Sequence, residues 1–201
     1  MTTESAQAPA DGRHARRARN RLAVVDAMLE LYGEGRYEPS SDEIAERAGL
    51  SPRSLFRYFD DLDDLVRAAI SRQYERVRPL AAIDLSPEAP LAERVLRLVR
   101  SRLRTYELIA ATGKVARARA HTQPLLAEQL AQARDQWRRQ IGLLFAPEFA
   151  ALGATRAAGA LAAVDVLASF EAVQLMRDDQ GLSVARIESA LVESLIRLLE
   201  A

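Results

Sequence analysis

From Arg16 to the end of the chain, apolar residues recur at spacings of three and four, and no segment alternates apolar with polar residues as a half-buried strand does. That periodicity confines the chain to an all-α fold. Leu22, Val25, Leu29 and Tyr32, with Ala23 and Met28 beside them, predict an amphipathic helix from Arg16 to Gly33, stopped by Gly33 and Gly35. Ser40 and Glu43 form a capping box that opens a short helix to Ala48. Gly49 supplies a turn, and Ser51 with Pro52 restarts a helix that should reach about Tyr58. Asp60 or Asp61 then caps a longer helix carrying Leu65, Val66, Ala69 and Ile70, expected to end at Val77 or Arg78 before Pro79.

The stretch from Pro79 to Pro90 holds three prolines and reads as a connection between two helical parts. Beyond it, Leu91, Val95, Leu98, Val99 and Leu103 mark one helix, and Thr105 to about Ala120 continues with Gly113 a candidate break. After a turn at residues 121–124, Leu125, Leu126, Leu130, Trp137, Ile141 and Leu144 trace a long helix ending near Ala146 and Pro147. Thr155 to Met176 is apolar nearly all round, and Val184 to Leu199 repeats the amphipathic pattern. The expected division is a disordered tail over 1–12, an N-terminal helical domain over 13–79 and a C-terminal helical domain over 80–201.

Composition narrows the function. With 201 residues and 49% apolar content the chain can bury a core of several helices, and with no Cys it has no thiolate nucleophile, disulfide or Cys-ligated zinc. Its two histidines, His14 and His121, lie in the expected tail and in a turn, away from any nucleophile, and no glycine-rich phosphate loop is present. No enzyme, cofactor or metal is therefore expected. The polar N-terminus lacks the apolar stretch of a secretion signal, and the most apolar segment, Ala157 to Phe170, is interrupted by Asp165, so the expected setting is cytoplasmic with no membrane partner. Lys plus Arg equals Asp plus Glu at 28 each, which argues against nonspecific coating of nucleic acid. The charge is not evenly spread, however. Arg13, Arg16, Arg17, Arg19 and Arg21 form a run with no acid from Gly12 to Val25. Coding bias accounts for an excess of Arg over Lys, and a solubilising tail accounts for a run; phosphate anchoring accounts for both the charge and its position.

Ala45, Gly49 and Leu55 meet the needs of a helix-turn-helix: a small residue where helices cross, a turn residue, and a core residue on the second helix. The same spacing also suits two helices that merely pack. In the DNA-reading arrangement the second helix enters the major groove, where Arg53 and Arg57 can each donate two hydrogen bonds to guanine. Ser51, Pro52, Ser54 and Tyr58 stand beside them, and Ser40 and Ser41 open the helix that crosses the backbone.

The segment SDEIAERAGLSPRSLFRYFDDLDDL, preceded by a basic-ended helix and a glycine turn, resembles the tetracycline-repressor (TetR) family of bacterial transcription regulators. The resemblance covers about Arg16 to Ile70; the rest is similar only in length and helical character. It implies a homodimer that binds a double-stranded operator and is released by a small effector held in the C-terminal domain. Two positions depart from the family pattern. Phe56 stands where Tyr is common, and Leu62 stands where a phosphate-binding Lys is frequent, among Asp60, Asp61, Asp63 and Asp64. That helix start should repel DNA, which leaves the arginine run to anchor phosphate. A helical interaction module with impaired DNA binding is the alternative these departures support. Within the C-terminal domain the polar interruptions Tyr106, Glu107, Thr112, Trp137, Asp165, Ser169, Glu171 and Gln174 are the effector candidates, with a hydrophobic effector expected from the apolar setting. Leu161, Val164, Ala168, Leu175, Ile187, Leu191, Leu195 and Leu198 are the candidates for a four-helix dimer interface.

Overall fold

The computed structural model describes residues 8–200, with side chains from residue 14 onward, and divides into two compact units, one up to Glu75 and one from Arg76. Residues 1–7 of the expected tail and the side chain of Arg13 lie outside the described residues. The first unit holds α1 (Ala8–Gly33), α2 (Ser41–Arg47), α3 (Pro52–Leu55) and most of α4 (Leu62–Ala81). Helix α1 starts earlier than the expected Arg16. Pro9 falls in its first turn, where a missing N–H is tolerated, and the Ala- and Arg-rich stretch that follows is a good helix former. The arginine run therefore belongs to the helix rather than preceding it. The buried face also differs by about one residue: Val24, Val25, Met28, Leu31 and Tyr32 are in the core, while Leu22 is 41% exposed. Two stripes at helical spacing fit this sequence, and the one with more bulky residues is buried.

Ser40 and Glu43 complete the expected capping box, Glu43 N donating to Ser40 Oγ at 3.3 Å and Ser40 N to Glu43 Oε2 at 2.8 Å. Helix α2 ends in a Schellman motif, Gly49 N donating to the Glu46 carbonyl at 3.0 Å and Leu50 N to that of Ala45 at 2.9 Å, with Gly49 at φ +67°. A side chain at Gly49 would be strained, so this turn depends on glycine. Helix α3 stops at Leu55, short of Tyr58, because the chain tightens: Arg57 N reaches the Ser54 carbonyl and Tyr58 N that of Leu55, both three residues back. Asp61 caps α4, accepting from Asp64 N at 2.7 Å. That helix runs through Pro79, and its last carbonyls find side-chain donors: Ser101 Oγ donates to Leu80 O at 3.1 Å and Gln140 Nε2 to Ala81 O at 2.8 Å.

The second unit contains α5 (Leu91–Leu108), α6 (Ala110–Arg119), α7 (Pro124–Leu144), α8 (Ala146–Leu152), α9 (Ala154–Leu167), α10 (Phe170–Gln174) and α11 (Val184–Leu199). Val95, Leu98, Val99, Tyr106, Ile109, Ile141, Phe145, Val164, Phe170, Ile187, Leu191 and Leu195 form its core. The break between α5 and α6 falls at Ile109, φ −102° and ψ 8°, not at Gly113. Gly113 instead lets α6 approach Phe170: a Cβ there would lie 2.8 Å from the ring Cζ. Because Phe170 is 2% exposed and its ring is held by Tyr106 and by Arg117 stacked 4.0 Å from its centroid, Gly113→Ala is expected to cost about 1–3 kcal/mol, read as a lower urea midpoint.

The apolar stretch expected as one helix over Thr155–Met176 is broken at Ala168 and Ser169, with a bend of 46°. Ser169 turns its hydroxyl to Ala172 N at 3.1 Å and starts a new helix, and the freed Ala168 carbonyl accepts from Tyr106 Oη at 2.7 Å. Helix α10 then widens into a π turn over Leu175–Asp179. Among the described residues, no single helix is long and apolar enough to cross a membrane.

Candidate nucleic-acid interface and regulatory cavity

In the first unit, α3 is fixed from below by Leu55, fully buried, and from its start by Ser51, which accepts from Ser54 N at 3.3 Å. This leaves Pro52 and Arg53 on the exposed side, with Arg57 exposed in the turn that follows. Arg16, Arg17 and Asn20 of α1 meet Ser54, Arg57 and Tyr58 along a cleft of about 500 Å³. Asn20 Nδ2 donates to Tyr58 Oη at 2.9 Å, and Arg17 Nη2 lies 3.5 Å from the Arg57 carbonyl, so the basic face of α1 is held beside the turn that follows α3. Arg19 is also exposed on α1. Arg21 takes a different role and stacks over Phe59, 4.7 Å from the ring centroid.

Not every expected polar contact remains available. Ser40 Oγ is engaged by Glu43 at 2.9 Å and Ser51 Oγ by Ser54 Oγ at 2.9 Å, while Ser41 is half-buried in the first turn of α2. Phe56 is 49% exposed, and Asp61 and Asp64 are used to close the start of α4. The unit is braced by arginines away from the cleft. Arg72 holds Asp26 through Nε at 2.8 Å and Nη2 at 3.0 Å, and Arg47 holds Glu34 at 2.8 and 2.9 Å. The Arg47 hydrogen bonds keep Glu34 below the usual carboxylate range. Asn20 is the cleft residue that sequence reasoning missed; it lies within the arginine run, and only the fold shows that it reaches Tyr58.

The second unit has a cavity of about 320 Å³ between α5, α6, α7 and the bend joining α9 to α10. Of the eight expected effector residues it gathers Tyr106, Trp137, Asp165, Ser169 and Glu171. The other three lie outside it. Glu107 is exposed, Thr112 is turned back to the Ile109 carbonyl at 3.2 Å, and Gln174 lies a turn beyond the bend. Tyr106 sits between Trp137 and Phe170, with ring centroids 5.3 and 5.5 Å away. Asp165 accepts from Arg138 at 3.1 Å. Glu171 is clamped by Arg117 at 2.8 Å and Arg134 at 2.5 Å; partial burial opposes its ionisation, but these two guanidinium groups hold it at about 2. Sequence reasoning missed Arg102, although its spacing from Leu98 places it on the apolar face of α5, where an arginine is itself a signal.

The dimer candidates divide by their burial within the single chain. Val164, Ala168, Ile187, Leu191 and Leu195 are all at most 3% exposed within this chain's own core, because α11 packs chiefly on α5. Leu175 at 50% and Leu198 at 36% are exposed, and Leu161 is half-buried.

A short second helix held across a first by a glycine turn, with exposed arginines at its start and a basic helix alongside, defines a helix-turn-helix DNA-binding unit. Residues 24–69, within this unit, match the sequence profile described as bacterial regulatory proteins, tetR family. No curated protein of similar sequence was found. Solved structures share the fold over nearly the whole chain. A transcriptional regulator from Rhodococcus sp. Rha1 is 17% identical with a TM-score of 0.68, covering 89% of this chain and 95% of that one. A tetR-family transcriptional regulator from Streptomyces coelicolor is 22% identical with a TM-score of 0.64, covering 90% and 80%. The multidrug binding protein EbrR, complexed with imidazole, is 24% identical with a TM-score of 0.62, covering 100% and 98%.

Proposed function

We propose that the protein is a cytoplasmic, homodimeric repressor that binds a palindromic operator and is released by a small effector with an apolar body. The observation that carries this reading is the pairing, on one chain, of a DNA-binding unit with a second unit enclosing an aromatic-walled cavity. A multidrug-binding protein of the same fold supports assigning that cavity to a ligand. Effector binding that favours a DNA-incompetent separation of the two reading heads would weaken operator binding by population shift. Leu175 and Leu198 are the expected dimer contacts that stay exposed, and Leu161, packed only in part against the chain's own core, joins them. Within each head, Arg53 reads bases, while Arg16, Arg17 and Arg19 anchor phosphate in place of the acidic start of α4.

The test is selection of bound fragments by the full-length protein, followed by footprinting and a salt titration. The expected footprint is a palindrome with half-sites about one helical turn apart. Replacing Arg16 and Arg17 with Ala should weaken all DNA sequences alike and lower the salt slope by about one for each phosphate no longer neutralised. No enrichment over random DNA at low salt would favour the interaction-module reading, which the four aspartates around Leu62 motivate.

A further inference from the structure

We infer that the cavity takes a small amphipathic monocarboxylate and that Arg102 receives its anionic head. This rests on the proposal that the cavity is the effector site and specifies the chemistry of its ligand.

Arg102 is 1% exposed, and it lines the cavity. Its guanidinium is fixed by the protein on two sides: Nη2 donates to Gln140 Oε1 at 2.8 Å, and the plane lies over the Trp137 ring, 4.9 Å from the centroid. Nη1 is buried without a partner among the described residues. Neither contact supplies a negative charge. The two acids of the wall are already taken, Asp165 by Arg138 and Glu171 jointly by Arg117 and Arg134. The wall thus carries three guanidinium groups against two carboxylates.

The other buried arginine shows how this fold neutralises such a group when it is purely structural. Arg94 is 3% exposed and gives its donors to the Glu148 carboxylate and to the carbonyls of Ala89 and Leu144. Burial of a cation with no carboxylate hydrogen-bonded to it is costly, and it pushes the Arg102 guanidinium below its ordinary range, opposed only in part by Tyr106 and by the Asp165 charge already shared with Arg138, although arginine keeps its proton. A carboxylate would complete Arg102 with charge-assisted hydrogen bonds, whereas a neutral ligand would leave the charge uncompensated and a cationic one would add to it. The remaining wall, including Tyr106, Ile141, Val166 and Phe170, suits an apolar or aromatic body. A volume near the lower end of the ~300–1,000 Å³ typical of small-molecule sites calls for a small one.

Trp137 is the chain's single tryptophan, so intrinsic fluorescence reads this cavity directly. The full-length protein is titrated with phenylacetate and octanoate, with phenylacetamide and octanamide, and with phenethylamine and octylamine, while operator occupancy is footprinted in parallel. The acids are expected to change Trp137 emission and raise Tm, with the amides binding roughly 10- to 100-fold more weakly and the amines more weakly still. Arg102→Met should erase the preference for acid over amide, and Arg102→Lys should keep part of it. Should Arg102→Met fail to fold, the acid-to-amide ratio on the unaltered protein decides alone. Equal binding of acid and amide, preference for the amine, or no response to either acid at millimolar concentration overturns the inference. The two levels fail separately. Selective acid binding that leaves DNA occupied removes the effector reading but keeps the carboxylate site, and DNA release without acid preference does the reverse.

Discussion

Replacing Glu148 with Ala is expected to destabilise the second unit by about 3–5 kcal/mol, more than Arg94→Met does, although the two residues form one ion pair. The asymmetry comes from what each change leaves behind. Arg94 is 4% exposed at its side chain, is held by Ala89 O at 2.7 Å and Leu144 O at 2.8 Å, and cannot shed its charge. Glu148 is 15% exposed and can take up a proton or turn to water when left alone. A double variant, Arg94→Met with Glu148→Leu, should recover most of the loss, because apolar replacement removes both desolvated charges together. Urea titration followed by Trp137 fluorescence reads all three. Losses that are equal for the two single variants and simply additive in the double would show that the pair is not coupled. Acid adds a second signature. Hydrogen bonds from Arg94 hold Glu148 below its ordinary value of 4.5, so the pair's stabilisation is complete above that value and disappears as pH falls through the lower folded one. Glu148→Ala should therefore flatten the acid limb of the stability profile.

The helical character of every segment and the start of most helices are legible in the sequence because caps and turns are local. Ser40 and Ser51 each satisfy a backbone donor within three residues, and the sequence places them without knowledge of the fold. What is not legible depends on contacts made at a distance. The bend at Ser169 is stable because Tyr106, 62 residues from Ala168, donates its hydroxyl to the carbonyl that the bend frees. The role of Gly113 likewise exists only because Phe170 lies against it. Apolar stripes predict that a face is covered but not by what, so Ile187, Leu191 and Leu195 are as compatible with a partner subunit as with α5 until the fold is known. The candidate sites divide in the same way. The α2–α3 unit is specified by adjacent residues, whereas the cavity draws on separate helices, so that the position of Arg102 on an apolar face can be read locally but not what it meets there.

Arg53→Ala is expected to cost about 1–3 kcal/mol on the operator and little on random DNA, relaxing preference at one base pair in each half-site. Arg57→Ala should behave differently. On a regular helix the two residues, four apart, would share a face and read neighbouring bases. The helix stops at Leu55, however, and the tight turn that follows carries Arg57 into the cleft lined by Arg16 and Arg17. On the proposed function its guanidinium joins Arg16 and Arg17 in anchoring phosphate, and its removal should weaken cognate and random DNA alike while lowering the salt slope. Binding isotherms for both variants on both DNAs, at two salt concentrations, separate the roles. A selective loss on the operator for Arg57→Ala would mean that α3 lengthens on DNA and restores the shared face, and a uniform loss for Arg53→Ala would place the start of α3 on the backbone rather than in the groove.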